Sequence, residues 1–221
     1  MNKLLIQKQY QCKGIRIFCL IIVVFSLLIA GCAGSGKPPY AVEKYLLNYP
    51  ASSRGSLGKL DTSIKFNRFS IATAYNSVNM IFSDDPYSFD SFNYSRWAVN
   101  PADMIADGLL RDFRESGLFQ AIFSRYESDE GRFVISGSVE EFFMRIEKGD
   151  KKAVVSMVVS LKDTRQQEAD KRIIFQKKYV REEPLQESSP KGYCQAASQS
   201  MRIISEQIAN DVYAVIKTNI Q

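Results

Sequence analysis

The sequence predicts an α+β fold: a single domain in which a mostly antiparallel sheet carries two main helices on one face. Segments 132–147, 153–163 and 172–180 alternate apolar and polar residues and follow one another over polar turns, the pattern of an antiparallel meander. Segments 100–117 and 193–218 repeat apolar residues at three- and four-residue spacing, as helices with one buried face do. At 221 residues the chain suffices for one ordinary domain with a leader and a tether.

The first 31 residues have the composition of a leader. Lys3, Lys8, Lys13 and Arg16 are their only charges, and a nearly unbroken apolar run follows from Ile17 to Ile29. That run is shorter than the ~20 residues of a membrane span and has the size of a signal-peptide core. Gly31-x4-Gly36-Lys37 fits most of a phosphate-binding loop. Pro38, however, stands where a magnesium-binding hydroxyl belongs, and Pro38 and Pro39 lack the backbone N–H groups that cradle phosphate. Leu28-Ile29-Ala30-Gly31-Cys32 instead resembles a bacterial lipobox. The resemblance implies lipidation of the Cys32 thiol, cleavage before it and acylation of the new N-terminus. By the same resemblance Ala33, not being Asp, favours outer-membrane delivery. More than one acyl chain makes a stable anchor, at about 0.8 kcal/mol per buried CH₂. The expected organisation is a signal peptide over 1–31, lipidated Cys32 and tether over 32–44, and the domain over 45–221.

Composition narrows the function classes. The leader holds four of the 29 basic residues and no acid, so the mature balance is 25 basic to 24 acidic. That near-neutrality does not point to nucleic acid. There is no His, which removes Ser–His and Cys–His catalysis and the commonest zinc ligand. Cys194 is left as a lone thiol and reads as a small buried apolar residue. No catalytic, cofactor-binding or metal-ligating set is legible. Glu140, Glu141, Glu147 and Asp150 could supply paired carboxylates for a hydrolase, but charges at a bulge and a hairpin read more simply as solvated.

Along the domain, Tyr45–Pro50 reads as a short strand ended by proline. Residues 60–71 and 76–84 read as two strands, the second with Val78, Met80 and Phe82 on one face, and Asp84-Asp85-Pro86 as a turn. Residues 87–99 form the most aromatic stretch. As a strand it places Phe92, Tyr94 and Arg96 on one face and Trp97 on the other. This stretch either fills the core or exposes an aromatic edge, and on the second reading Phe92, Tyr94, Arg96 and Trp97 are the candidate partner-binding residues. The helix over 100–117 has Asn100 as N-cap, Pro101 at its first position and Gly117 as its stop. A short strand covers 118–126. In 132–147 the apolar phase runs Phe133, Ile135, Val139 and then slips to Phe142, Met144, Ile146, so a bulge is expected near Glu140–Glu141. The basic residues between Lys148 and Lys178 read as solvated hairpin ends, with an anionic-lipid or partner patch at one end of the meander as the sharper alternative. The final helix carries its stripe on Ala197, Met201, Ile204, Ile208, Val212 and Val215.

Cys32, Tyr45-Leu46-Leu47 with Pro50, Trp97 ahead of Pro101, and Leu109-Leu110 leading to Gly117-Leu118-Phe119 together resemble the ABC-type transport auxiliary lipoprotein family, the lipoprotein subunit of Pqi-type systems. The run here is "YLLNYP", where family members often have "YYLLP", which leaves the first strand's register open. The resemblance implies a non-enzymatic envelope lipoprotein that works beside an MCE-type periplasmic lipid-tunnel protein and helps move phospholipid between the membranes. The alternative is an α+β adaptor that activates or anchors another periplasmic complex, such as a cell-wall synthase. A tether of about a dozen residues reaches ~40 Å at ~3.3–3.6 Å per residue, which favours a partner near the membrane.

Overall fold

The computed structural model describes residues 40–51, 57–168 and 170–220. The leader, Cys32 and residues 33–39 of the tether lie outside the described residues. Residues 42–221 make one compact unit, and no helix among the described residues is long and apolar enough to cross a membrane.

The longest strand organises the sheet. β7 (Phe133–Glu147) pairs antiparallel with β8 (Asp150–Asp163) along its whole length, and β8 pairs antiparallel with β9 (Ile173–Pro184). This is the expected meander. The other edge of β7 is shared by three short strands at successive heights, all parallel to it: β2 (Leu60–Phe66), β3 (Ser70–Ile71) and β4 (Asn79–Asp85). Residues 60–85 thus form one interrupted track along β7, where the sequence suggested two separate strands. A 3₁₀ turn at Thr73–Tyr75 fills one interruption. β5 (Ser88–Trp97) folds back antiparallel on β4, β1 (Glu43–Tyr45) lies parallel to the end of β5, and β6 (Phe119–Phe123) lies parallel to β2. The sheet is therefore mixed. Its long pairings are antiparallel and its short ones mostly parallel, because parallel neighbours are recruited from distant parts of the chain.

Both helices pack on one face. α1 (Pro101–Ser116) begins where the Asn100 side chain accepts the Ala102 N–H at 3.0 Å and ends at Gly117, φ 60°. Met104, Ile105, Leu109 and Phe113 are buried beneath it. α2 (Pro190–Ile220) buries Ala197, Met201, Ile204, Ile208 and Val212, with Val215 half-buried. Each such large aliphatic side chain contributes roughly 1.5–3 kcal/mol. The opposing sheet face supplies Ala153, Val155, Met157, Val159 and Leu161, all fully buried. Phe69 lies flat over Gly137, where a Cβ would come within 2.3 Å of its ring.

Only Glu43–Tyr45 of the first segment is strand, against the Tyr45–Pro50 expected. Residues 46–50 leave the sheet and strap the two helices together. The Leu47 N–H points at Met104 Sδ at 3.2 Å, the Asn48 N–H donates to Ser198 Oγ at 3.0 Å, and the Cys194 thiol donates to the Leu46 carbonyl at 3.1 Å. Tyr49 lies under the Arg111 guanidinium, 4.5 Å from its ring centre. Between the helices, buried Asp112 accepts a bond from Ser205 at 2.5 Å and pairs with Arg111 at 2.7 Å. Helix-borne side chains thus satisfy the strap's polar backbone where no strand partner is available.

Candidate functional site

The candidate site lies on the opposite, helix-free face of the sheet, and the bulge in β7 creates it. Val139 pairs with Met157 and Glu141 with Ser156, so Glu140 is the extra residue. Before the bulge, odd-numbered residues of β7 face the helices. After it, Phe142 and Met144 take over that role, and Glu141, Phe143, Arg145 and Glu147 turn outward. Glu140 itself pairs with Lys178 at 2.7 Å.

Phe143 anchors a second, smaller apolar cluster with Tyr75, Ile81 and Val154. Tyr75 stacks on Phe143 with ring centres 5.9 Å apart, and Phe89 of β5 meets both edge-on, at 5.7 and 5.5 Å. Tyr75 and Phe143 are buried, whereas Phe89 is 49% exposed. A groove of about 520 Å³ opens here, between the β4–β5 hairpin and the outward end of β7. Asp84, Asp85, Glu141, Glu147 and Arg145 line it beside the aromatic rings. Asp85 accepts the Tyr87 N–H at 2.7 Å, which shapes the Pro86–Tyr87 turn. Arg145 is engaged by Glu182 and lies 5.5 Å over the Phe143 ring. Asp84, Glu141 and Glu147 form no ion pair among the described residues. Burial, and then the charge of Glu141, push the Tyr75 hydroxyl above its usual value, with Arg145 opposing.

The four residues proposed from the aromatic stretch do not share one surface. β5 carries extra residues between its pairings Arg96–Asn79 and Ser91–Ile81, which breaks the alternation. Trp97 is 1% exposed and packs in the core against Phe142 and Tyr193, with ring centres 5.1 and 5.3 Å away. Phe92 is half-buried, 5.1 Å from Phe82. Arg96 is half-buried and folds back to donate to the Phe92 and Ser95 carbonyls. Tyr94 alone is well exposed, at 50%. Cys32 lies outside the described residues.

The sequence singles out Glu141 and Glu147 only as possible paired carboxylates, and it does not show that the groove residues meet, for different reasons. Phe89 lies inside the aromatic stretch, but simple alternation does not show that it meets β7. Glu141, Phe143, Arg145 and Glu147 are the outward set once the bulge is placed, so the phase slip already carried their signal. Tyr75 sits in a turn with no periodicity to mark it. The basic residues do not gather: Lys148, Lys151 and Lys152 lie at the β7–β8 turn, and Lys171 and Arg172 lie at the other end of β8. Lys177 and Lys178, within β9, pair with Asp211 and Glu140.

The family described as ABC-type transport auxiliary lipoprotein component matches residues 45–209. Among solved structures, the chain is similar to a Xanthomonas campestris protein of the DUF330 family, with 14% identity and a TM-score of 0.71, over 80% of this chain and 99% of that one. It is also similar to a hypothetical protein from Chlamydia trachomatis, with 9% identity and a TM-score of 0.53, over 71% of this chain and 98% of that one. At these identities the likenesses concern the fold alone. No curated protein matches the sequence.

Proposed function

Since the chain belongs to the ABC-type transport auxiliary lipoprotein family, and so is an auxiliary component of such a system, we propose that it is a non-enzymatic docking subunit for an MCE-type lipid-tunnel protein. It is anchored by acylated Cys32 on the periplasmic face of the outer membrane, and the cargo of the system is phospholipid. The observation that carries the docking role is the groove at Phe89. It is an aromatic surface on the helix-free face of the sheet, where a side chain half in solvent completes an apolar cluster. The anchor reading draws on the leader and on Ala33. β1 begins 11 residues after Cys32, which at ~3.3–3.6 Å per residue keeps it within about 40 Å of the anchored thiol.

The test is recovery of the intact lipoprotein from native envelopes through a C-terminal affinity handle. The expected result is co-recovery of an MCE-type protein, and slowed phospholipid exchange between the membranes when the lipoprotein is deleted. Recovery of an ABC system that contains no MCE-type subunit, with normal phospholipid exchange, would refute the lipid-tunnel reading.

A further inference from the structure

The groove's charge narrows what it can hold. Its floor is aromatic and its rim is acidic: Asp84, Glu141 and Glu147 form no ion pair among the described residues, and the one lining cation, Arg145, is held by Glu182. An anionic phosphate headgroup would meet four lining carboxylates against one lining cation, with Lys178 acting on Glu141 from β9 and Lys148 and Lys152 beside Glu147 outside the groove. A second copy of the chain docking hairpin to hairpin would oppose its own Asp84 and Asp85 to these acids. A cation faces neither obstacle, and the groove already shows the arrangement one would adopt: the Arg145 guanidinium lies over the Phe143 ring with a carboxylate beside it. Interfaces concentrate their binding in a few aromatic and Arg contacts of this kind.

We propose that the groove receives a Lys- or Arg-bearing apolar segment of the protein partner, its cationic head against Asp84, Glu141 and Glu147 and its apolar side chain on the half-exposed Phe89 ring. The inference rests on the docking role proposed above and adds the site and chemistry of contact. Tyr87, 97% exposed at the hairpin tip, stands beside the groove, and Ile173, 48% exposed on β9, lies on the same sheet in register with Lys162 and Val134, at the other end of β7 from Glu141–Glu147.

A benzophenone amino acid placed at position 87, and in a second strain at position 173, gives photo-crosslinks in intact envelopes that mass spectrometry can map. Position 87 should capture a partner-protein peptide bearing Lys or Arg. A Glu141→Gln/Glu147→Gln background should lower that yield about tenfold with an unchanged melting temperature. Capture of lipid, of a second copy or of an acidic peptide at position 87 would overturn the inference, as would an unchanged yield in the double variant. Capture of the transport partner only from position 173 would overturn the groove while leaving the docking role standing. Failure at both positions, with no partner in the affinity recovery, would overturn both.

Discussion

A side chain's chemistry and its position in the strand's phase together decide its role. Phe89, Phe92, Tyr94 and Trp97 lie within one strand, yet they complete the groove cluster, half-fill the core, face solvent and sit fully buried, respectively. Cys194 follows its composition more simply. Burial pushes its thiol from 9.0 up to about 11, with the Ser198 contact opposing. A raised thiol pKa favours the folded state fully below the unfolded value, and that contribution is lost as pH rises through the folded one. The expected outcome is that the stability advantage of the wild type over Cys194→Ala narrows between pH 9 and 11. Denaturant melts across that range check it, and a constant difference would place the thiol in water.

Among the elements, β7 carries the clearest consequence of a single residue. The bulge at Glu140 keeps Phe142 and Met144 in the core after the phase slip. Deleting Glu140 shifts one half of the strand by one residue and turns its apolar set toward water. The expected outcome is loss of cooperative unfolding, whereas Glu140→Ala removes an exposed ion pair with Lys178 and a long bond from the Ser156 hydroxyl, at 3.5 Å, and should cost about 1–2 kcal/mol. Thermal melts of the two variants separate register from charge, and equal behaviour would show the bulge to be dispensable. β5 offers a second comparison. Phe92→Ala removes a ring packed on Phe82 and should cost about 1–2 kcal/mol, part of the value for full burial. Tyr94→Ala should leave the melt almost unchanged, and a large loss there would place the Tyr94 ring in the core.

For the whole molecule, the domain is expected to fold independently of the anchor proposed at Cys32. The described unit from Val42 onward has its own core, so its folding should not depend on the proposed acylation of Cys32. Cys32→Ala is expected to leave an uncleaved precursor in the inner membrane whose domain melts as the wild type does. Metabolic labelling with a fatty-acid analogue should mark the wild type alone. Equal labelling of both would remove the acylation site from Cys32.

Local pattern by itself determined the α+β class, both helices with the Asn100 and Gly117 ends, the β7–β8–β9 meander and the bulge. Each of these follows from periodicity or from a cap a few residues away, and such signals are written in adjacent residues. Tertiary structure alone decided that residues 60–85 run as one parallel track along β7, that 46–50 is a strap over the helices, and that Trp97 lies inside while Phe89 lies at a groove. Parallel pairing joins segments about 60–70 residues apart in the chain, so no local pattern announces it. The strap is held by Met104, Cys194 and Ser198, which lie far from it in the sequence. The groove needs both kinds of information. The bulge turns Phe143 and Glu141 outward by a local rule, and only the pairing of β4 with β7 brings Phe89 and Asp84 to meet them.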